Sequence, residues 1–343
     1  MREHAGEMAR RESRSTYLRR RVAAVALLLL AVVGVVAAAG AATGGGDDDA
    51  SVRRAGTAVS GDGGKGDAAQ AQEPAPAPKP RPTLPDGSRT LFPDHRVVAF
   101  YGNPADPQLG ALGIGTPDQA AARLRRVARS YERKTRPVML CLELIVTVAA
   151  AAPGDDGLYR LRTGDDVIRR YLRAARKAKA LLLLDVQPGR SNFPKEVARL
   201  RKWLREPDVG LALDPEWRVQ AGEVPGQVIG SVNAAEVDAV SAELARIVRE
   251  HDLPEKLFVL HQFTQDMIKD KDKLQLRKGL ATVFNVDGFG TPAAKISKYD
   301  EFTDSTPKGA HDGFKVFFEE DIDRMRPASV LNLTPPPDII EYE

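Results

Sequence analysis

The sequence predicts a (β/α)8 barrel of the TIM type, placed behind an N-terminal transmembrane helix and a disordered linker. Three observations predict it. Short apolar runs alternate with longer amphipathic stretches throughout residues 91–343. Several of those runs are continuously apolar, the pattern of parallel strands buried on both faces. The segment is 253 residues long, close to the ~250 typical of that barrel. A doubly wound open sheet is the alternative arrangement of the same elements.

The chain opens with a basic leader. Residues 1–21 hold seven Arg against three Glu, a net of +4, and the whole chain carries +3, so everything after Arg21 sums to −1. The positive charge is therefore not a binding face, and no nucleic-acid partner is expected. From Val22 to Gly46 there is no charged residue, and residues 22–42 are almost wholly Ala, Val and Leu. Such a run spans a ~30 Å bilayer core as a helix. Arg19–Arg21 before it and Asp47–Asp49 after it predict a cytoplasmic N-terminus and an exported remainder. A cleaved signal peptide is the competing reading, with Ala37–Ala39 or Gly40–Ala42 as small-residue cleavage sites. The expected location is the cell membrane, single-pass with the C-terminal domain outside, or secretion if the leader is cleaved. Residues 43–90 contain no aromatic, and Glu73–Pro82 alternates proline in the manner of an extended polyproline II spacer. The barrel is expected over 91–343.

The apolar runs follow in order: Arg96–Gly102, Val138–Val146, Ala180–Gln187, Val209–Trp217, Lys256–Phe263, Ala281–Gly290, Gly313–Asp321 and Ser329–Thr334. Helix signals separate most of them. Thr116, Pro117 and Gln119 supply a cap, an N1 proline and a capping-box partner. Asn233 and Glu236 open a second helix, in which Val237, Val240, Leu244 and Ile247 share one face. Residues 165–180 and 194–206 read the same way. The helical signals after runs six and seven, KISKYDEF and EEDIDRMR, are short.

The runs turn polar where they end. Glu143, Asp185 with Gln187, Asp214 with Glu216, His261 with Gln262, Asn285 with Asp287, and Asn332 close runs two to six and eight, and Lys315 lies in run seven. In an α/β barrel the C-terminal strand ends form the functional mouth. A single acid there is a cap or a solvated turn, but the feature recurs. Asp214 and Glu216 are two apart, which on a strand puts them on one face. Two carboxyls held close raise one pKa, and a protonated carboxyl beside an ionised one is what acid catalysis at an acetal requires. The expected catalytic residues are thus Glu216, Asp214, Asp185 and Glu143. His261, Gln262, Asn285, Asp287, Trp217, Lys315 and Asn332 are expected to bind substrate, Trp217 by stacking on a sugar face. His261 is expected to hydrogen-bond rather than to ligate, so no metal or other cofactor is expected. Cys141, the one cysteine, excludes a disulfide framework and reads as a small core residue.

The barrel with Asp-x-Glu at the end of strand four resembles retaining glycoside hydrolases of the chitinase-like and cell-wall lysozyme-like groups. The resemblance implies that Glu216 is the acid and Asp214 its helper. The sequence departs from those groups in reducing their long DxxDxDxE signature to LALDPEW, with Pro215 in the middle. The strings PGRSNF, HQF and NVDGFG resemble an uncharacterised family of secreted bacterial TIM-barrel proteins over about residues 96–342. The function expected is a membrane-tethered glycoside hydrolase acting outside the cytoplasm on a cell-envelope or extracellular polysaccharide. A non-catalytic glycan-binding protein and a metal-dependent phosphodiesterase are the alternatives.

Overall fold

A computed structural model describes residues 80–343. Residues 22–42 and most of the linker lie outside the described residues, and no helix among the described residues is long and apolar enough to cross a membrane.

Eight parallel strands form the sheet: β1 (Arg96–Gly102), β2 (Val138–Ala149), β3 (Ala180–Val186), β4 (Val209–Leu213), β5 (Lys256–Gln262), β6 (Leu280–Val286), β7 (His311–Val316) and β8 (Ile339–Tyr342). Each pairs with the next in sequence, and β1 pairs with both β2 and β8. The sheet therefore closes into a TIM-type barrel, and the open doubly wound arrangement is excluded. A short strand, Arg160–Arg162, pairs antiparallel with the end of β2.

Among the described residues the helices are α1 (Pro117–Ala128), α2 (Asp165–Ala178), α3 (Phe193–Ala198), α4 (Arg201–Leu204), α5 (Ala234–Glu250), α6 (Pro292–Thr303) and α7 (Pro327–Leu331). Thr116 and Gln119 form the expected capping box on α1, and Asn233 caps α5. The single helix expected over 194–206 is broken into α3 and α4. KISKYDEF lies inside α6, whereas EEDIDRMR forms no helix. Between β5 and β6 a 3-10 turn, Lys271–Lys273, stands where a helix would pack.

Run eight is misassigned by the sequence pattern. Most of it is α7 and its C-terminal cap, with Pro327 at the first helical position, and the eighth strand is Ile339–Tyr342. The linker boundary also moves. Leu84 is buried and packs with Leu91 and Phe92 in the apolar cluster inside the barrel. Arg81 and Arg89 both pair with Asp252, on the turn that leads into β5. The folded body thus extends upstream of Leu91, because the closed sheet leaves an apolar end that those side chains cover.

Inside the barrel, every second residue of a strand faces the axis. The sequence of each strand then decides what lies at each depth: Met139–Cys141–Glu143, Leu181–Leu183–Asp185, Leu257–Val259–His261, Ala281–Val283–Asn285 and Ile339–Glu341 all run from apolar to polar. The lower members form the inner apolar cluster. The upper members meet at the C-terminal end.

Candidate functional site: the polar end of the barrel

Alternation on parallel strands brings Glu143, Asp185, His261, Asn285, Asp287 and Lys315 together with Tyr101 and Glu341, although Tyr101 and Glu341 lie at opposite ends of the folded chain. His261 is central. Its Nε2 lies 2.8 Å from Glu143 Oε1, and its Nδ1 lies 3.0 Å from Asp287 Oδ2 and 3.8 Å from Glu341 Oε2. Lys315 Nζ lies 2.9 Å from Glu343, 3.3 Å from Glu341 and 3.6 Å from Asp287, and 3.7 Å above the Tyr101 ring. Asn285 donates to Glu341 Oε2 at 2.8 Å. Tyr101 donates to Asp185 Oδ2 at 3.3 Å and accepts from Gln187 at 2.8 Å.

This is a crowd of acids around two cations, all buried but the partly exposed Glu343, and its electrostatics follow from that. Burial pushes the Asp185 carboxyl well above the carboxylate range, against the pull of His261. Burial raises Glu341 in the same way, reinforced by the neighbouring Glu143 carboxyl, with which it is within hydrogen-bonding reach. Asp214 is lifted to about 7, by burial first and then, against His261, by the negative charge of Glu216 and Asp287. Burial alone would lower His261 and Lys315. The surrounding carboxylates overcome it and hold both well above their ordinary values.

The Asp214–Glu216 pair is built differently from the expectation. Strand β4 ends at Leu213, because Pro215 cannot continue the ladder. Asp214 caps a 3-10 turn, Pro215–Trp217, and accepts a hydrogen bond from the Glu216 backbone N–H at 3.2 Å. The two carboxyls are neighbours through that turn rather than through strand alternation. Gly210, below Asp214, leaves no open space: Leu183 and Leu257 fill the position its side chain would occupy.

Three expected binding residues are not presented to the chamber. Gln262 follows the inward His261 and so points to the outer face, where Lys271 Nζ donates to it at 2.8 Å beneath the 3-10 turn. Asn332 is the exposed C-terminal cap of α7, on the helix that replaced the expected eighth strand. Trp217 is only 7% exposed, so its ring offers no open stacking face.

Four contributors escaped the sequence reading. Tyr101 was hidden in an otherwise apolar run. Glu341 belongs to the eighth strand and Glu343 follows its last residue, and the alternation Ile339–Glu341–Glu343 was the available signal. Lys298, on α6, donates to the carbonyls of Phe263 and Asp287 at 3.0 and 3.2 Å. Burial takes it down to about 8, opposed by the charges of Asp287 and Glu216. A loop pair frames the same end: Arg160 and Arg162, from the short strand after β2, clasp the buried Glu196 of α3 at 2.8 and 2.9 Å.

Among the described residues, two groups have geometry suited to a metal ion, Glu143–Asp185–His261 and His261–Asp287–Glu341, with the ligand atoms of each group within 4.8 Å of one another.

No family model matches the chain, and no curated protein matches it. Among solved structures, one similar to it is a GH5 xyloglucan-specific endo-β-1,4-glucanase from a metagenomic library, in complex with cellotriose. That likeness has a TM-score of 0.38 and 9% sequence identity, over 70% of this chain and 81% of that one.

Proposed function

We propose that the barrel hydrolyses glycosidic bonds of a polysaccharide, with Asp214 and Glu216 as the acid pair. The observation that carries this reading is the Asp214 carboxyl, raised to about 7 and tied to the turn that bears Glu216. A carboxyl that holds its proton near neutral pH beside a second carboxyl is the donor that an acetal leaving group needs. Asp214 stores the proton, and Glu216, beyond the strand end, is the carboxyl that meets substrate. The Lys298 ammonium interacts with the charges of Glu216 and Asp287 and offsets part of the negative charge there. The uncharged run 22–42 and the proline-rich spacer support an extracytoplasmic, membrane-tethered location, and so a surface or envelope polysaccharide as substrate.

The test is release of reducing ends from neutral and amino-sugar polysaccharides by the purified full chain, alongside Glu216→Gln and Asp214→Asn. Cleavage by the wild type that both substitutions abolish is the expected result. Binding of a glycan without cleavage by any form makes the barrel a glycan-binding protein instead and rejects the hydrolase.

A further inference from the structure

The deep side of the chamber holds two groups of possible ligands that share one imidazole. Crowded acids alone do not make a site. A second observation is independent of their spacing: Glu143 Oε2, Asp185 Oδ1 and Glu341 Oε1 have no hydrogen-bond partner among the described residues, and all three residues are fully buried. One proton shared by Glu143 and Glu341, whose carboxyls are in reach of each other, satisfies two of those oxygens. It does not satisfy the third. Among the described residues, a proton on Asp185 Oδ1 would have no acceptor, and an ionised Oδ1 has no donor.

We propose that Glu143, Asp185 and His261 form a binding site for a divalent cation of the Mn2+ or Zn2+ class. One imidazole among carboxylates suits ions of that class better than the all-oxygen shells of Ca2+ or Mg2+. The surroundings are those of a metal site as well. Asp287 accepts from His261 Nδ1, so that loss of the Nε2 proton leaves a lone pair directed at Glu143, the carboxylate–histidine arrangement that orients imidazole ligands. Tyr101, itself held by Gln187, bonds Asp185 Oδ2 and leaves Oδ1 as the oxygen that faces the site. The second group is served already, since Lys315 lies 3.3 Å from Glu341 and 3.6 Å from Asp287. The position of Lys315 therefore selects the first group. Binding displaces the proton that His261 otherwise carries between two carboxylates. This departs from the expectation that His261 only hydrogen-bonds, and it does not rest on the Asp214–Glu216 pair.

The experiment is calorimetric titration of the chelator-stripped full chain with MnCl2 and with ZnCl2, in two buffers of different ionisation enthalpy. Expected is one equivalent of either ion with proton release, and binding weakened at least about tenfold by Asp185→Asn or Glu143→Gln. Glu216→Gln is expected to titrate as the wild type. Circular dichroism first establishes that each variant is folded. Melting curves with and without MnCl2 add a second readout, an upward shift that Asp185→Asn lacks. Absence of binding at millimolar ion overturns the proposal and leaves protons as the only counter-charge. Binding that survives both substitutions also overturns it, because the ion then sits elsewhere on the chain. Loss of polysaccharide cleavage has no bearing on this titration, so the two readings fail separately.

Discussion

His261 and Glu143 are 118 residues apart in the chain, yet Nε2 of one lies 2.8 Å from Oε1 of the other across the barrel axis. The contact exists because each is the first polar inward residue above an apolar stack on its own strand. Removing the imidazole leaves Glu143, Asp287 and Glu341 facing one another. His261→Gln is expected to cost about 3 kcal/mol, the scale for breaking a buried charge pair from one side, measured by urea unfolding. A cost below about 0.5 kcal/mol, typical of surface positions, would show that the cluster does not depend on that ring.

Asp214→Asn is expected to lower hydrolysis by ~10²–10⁴-fold, the usual contribution of a positioned acid, while the melting temperature holds or rises. The rise follows from taking one acid out of a repelling group. A fall in melting temperature that parallels the loss of turnover would assign Asp214 to the fold instead.

Lys315→Met removes the cation shared by Asp287, Glu341 and Glu343. The expected loss is about 3–5 kcal/mol, read from the denaturation midpoint at constant m-value. Retention of full stability would mean that protons alone can neutralise those acids.

Glu196 sets an acid-side limit on stability. Burial would raise its pKa, but hydrogen bonds from Arg162, Ser191 and Arg160 prevail and hold it at about 2. A depressed carboxyl contributes its full stability above its unfolded pKa and loses it as pH falls toward the folded one. The wild type should therefore lose stability between about pH 4.5 and pH 2, and Glu196→Gln should flatten that part of the profile. At pH 7 the substitution should also cost about 3 kcal/mol, since the buried Arg160 loses Glu196 and keeps only the exposed Asp156 as partner. An unchanged acid limb in the variant would contradict the assignment.

Leu84 tests where folding begins. Leu84→Ala in the full chain is expected to cost about 2–5 kcal/mol, because the side chain is 3% exposed in the inner cluster. A chain starting at residue 91 should melt lower than one starting at residue 80, and equal melting points would return the boundary to Leu91.

The polar end of the barrel was legible in the sequence where a strand announces itself. In LLLLD and VLHQ the acid or imidazole follows an unbroken apolar run, and Asp185 and His261 lie in the chamber as that pattern implies. Parity decided the rest. A period of two puts His261 inside and Gln262 outside, so neighbours in sequence parted. Pro215 ended a strand that alternation alone would have carried on to Glu216. Ser329–Leu331 has the composition of a strand, but Pro327 starts a helix there, and the real eighth strand is four residues long behind three prolines. Leu84, one apolar residue in a Pro-Asp-Gly turn, has no local pattern that reveals its burial. Only the closed sheet provides the place it fills.

Leu84, Leu91 and Phe92 close the end of the barrel opposite the acids, so the acids are approached from the other end. Whatever binds there arrives and departs by one doorway. If the barrel is the hydrolase proposed above, a product that has not left excludes the next substrate, and inhibition by product is expected to be competitive. On that reading, side chains on the loops after the strands would govern release as well as capture.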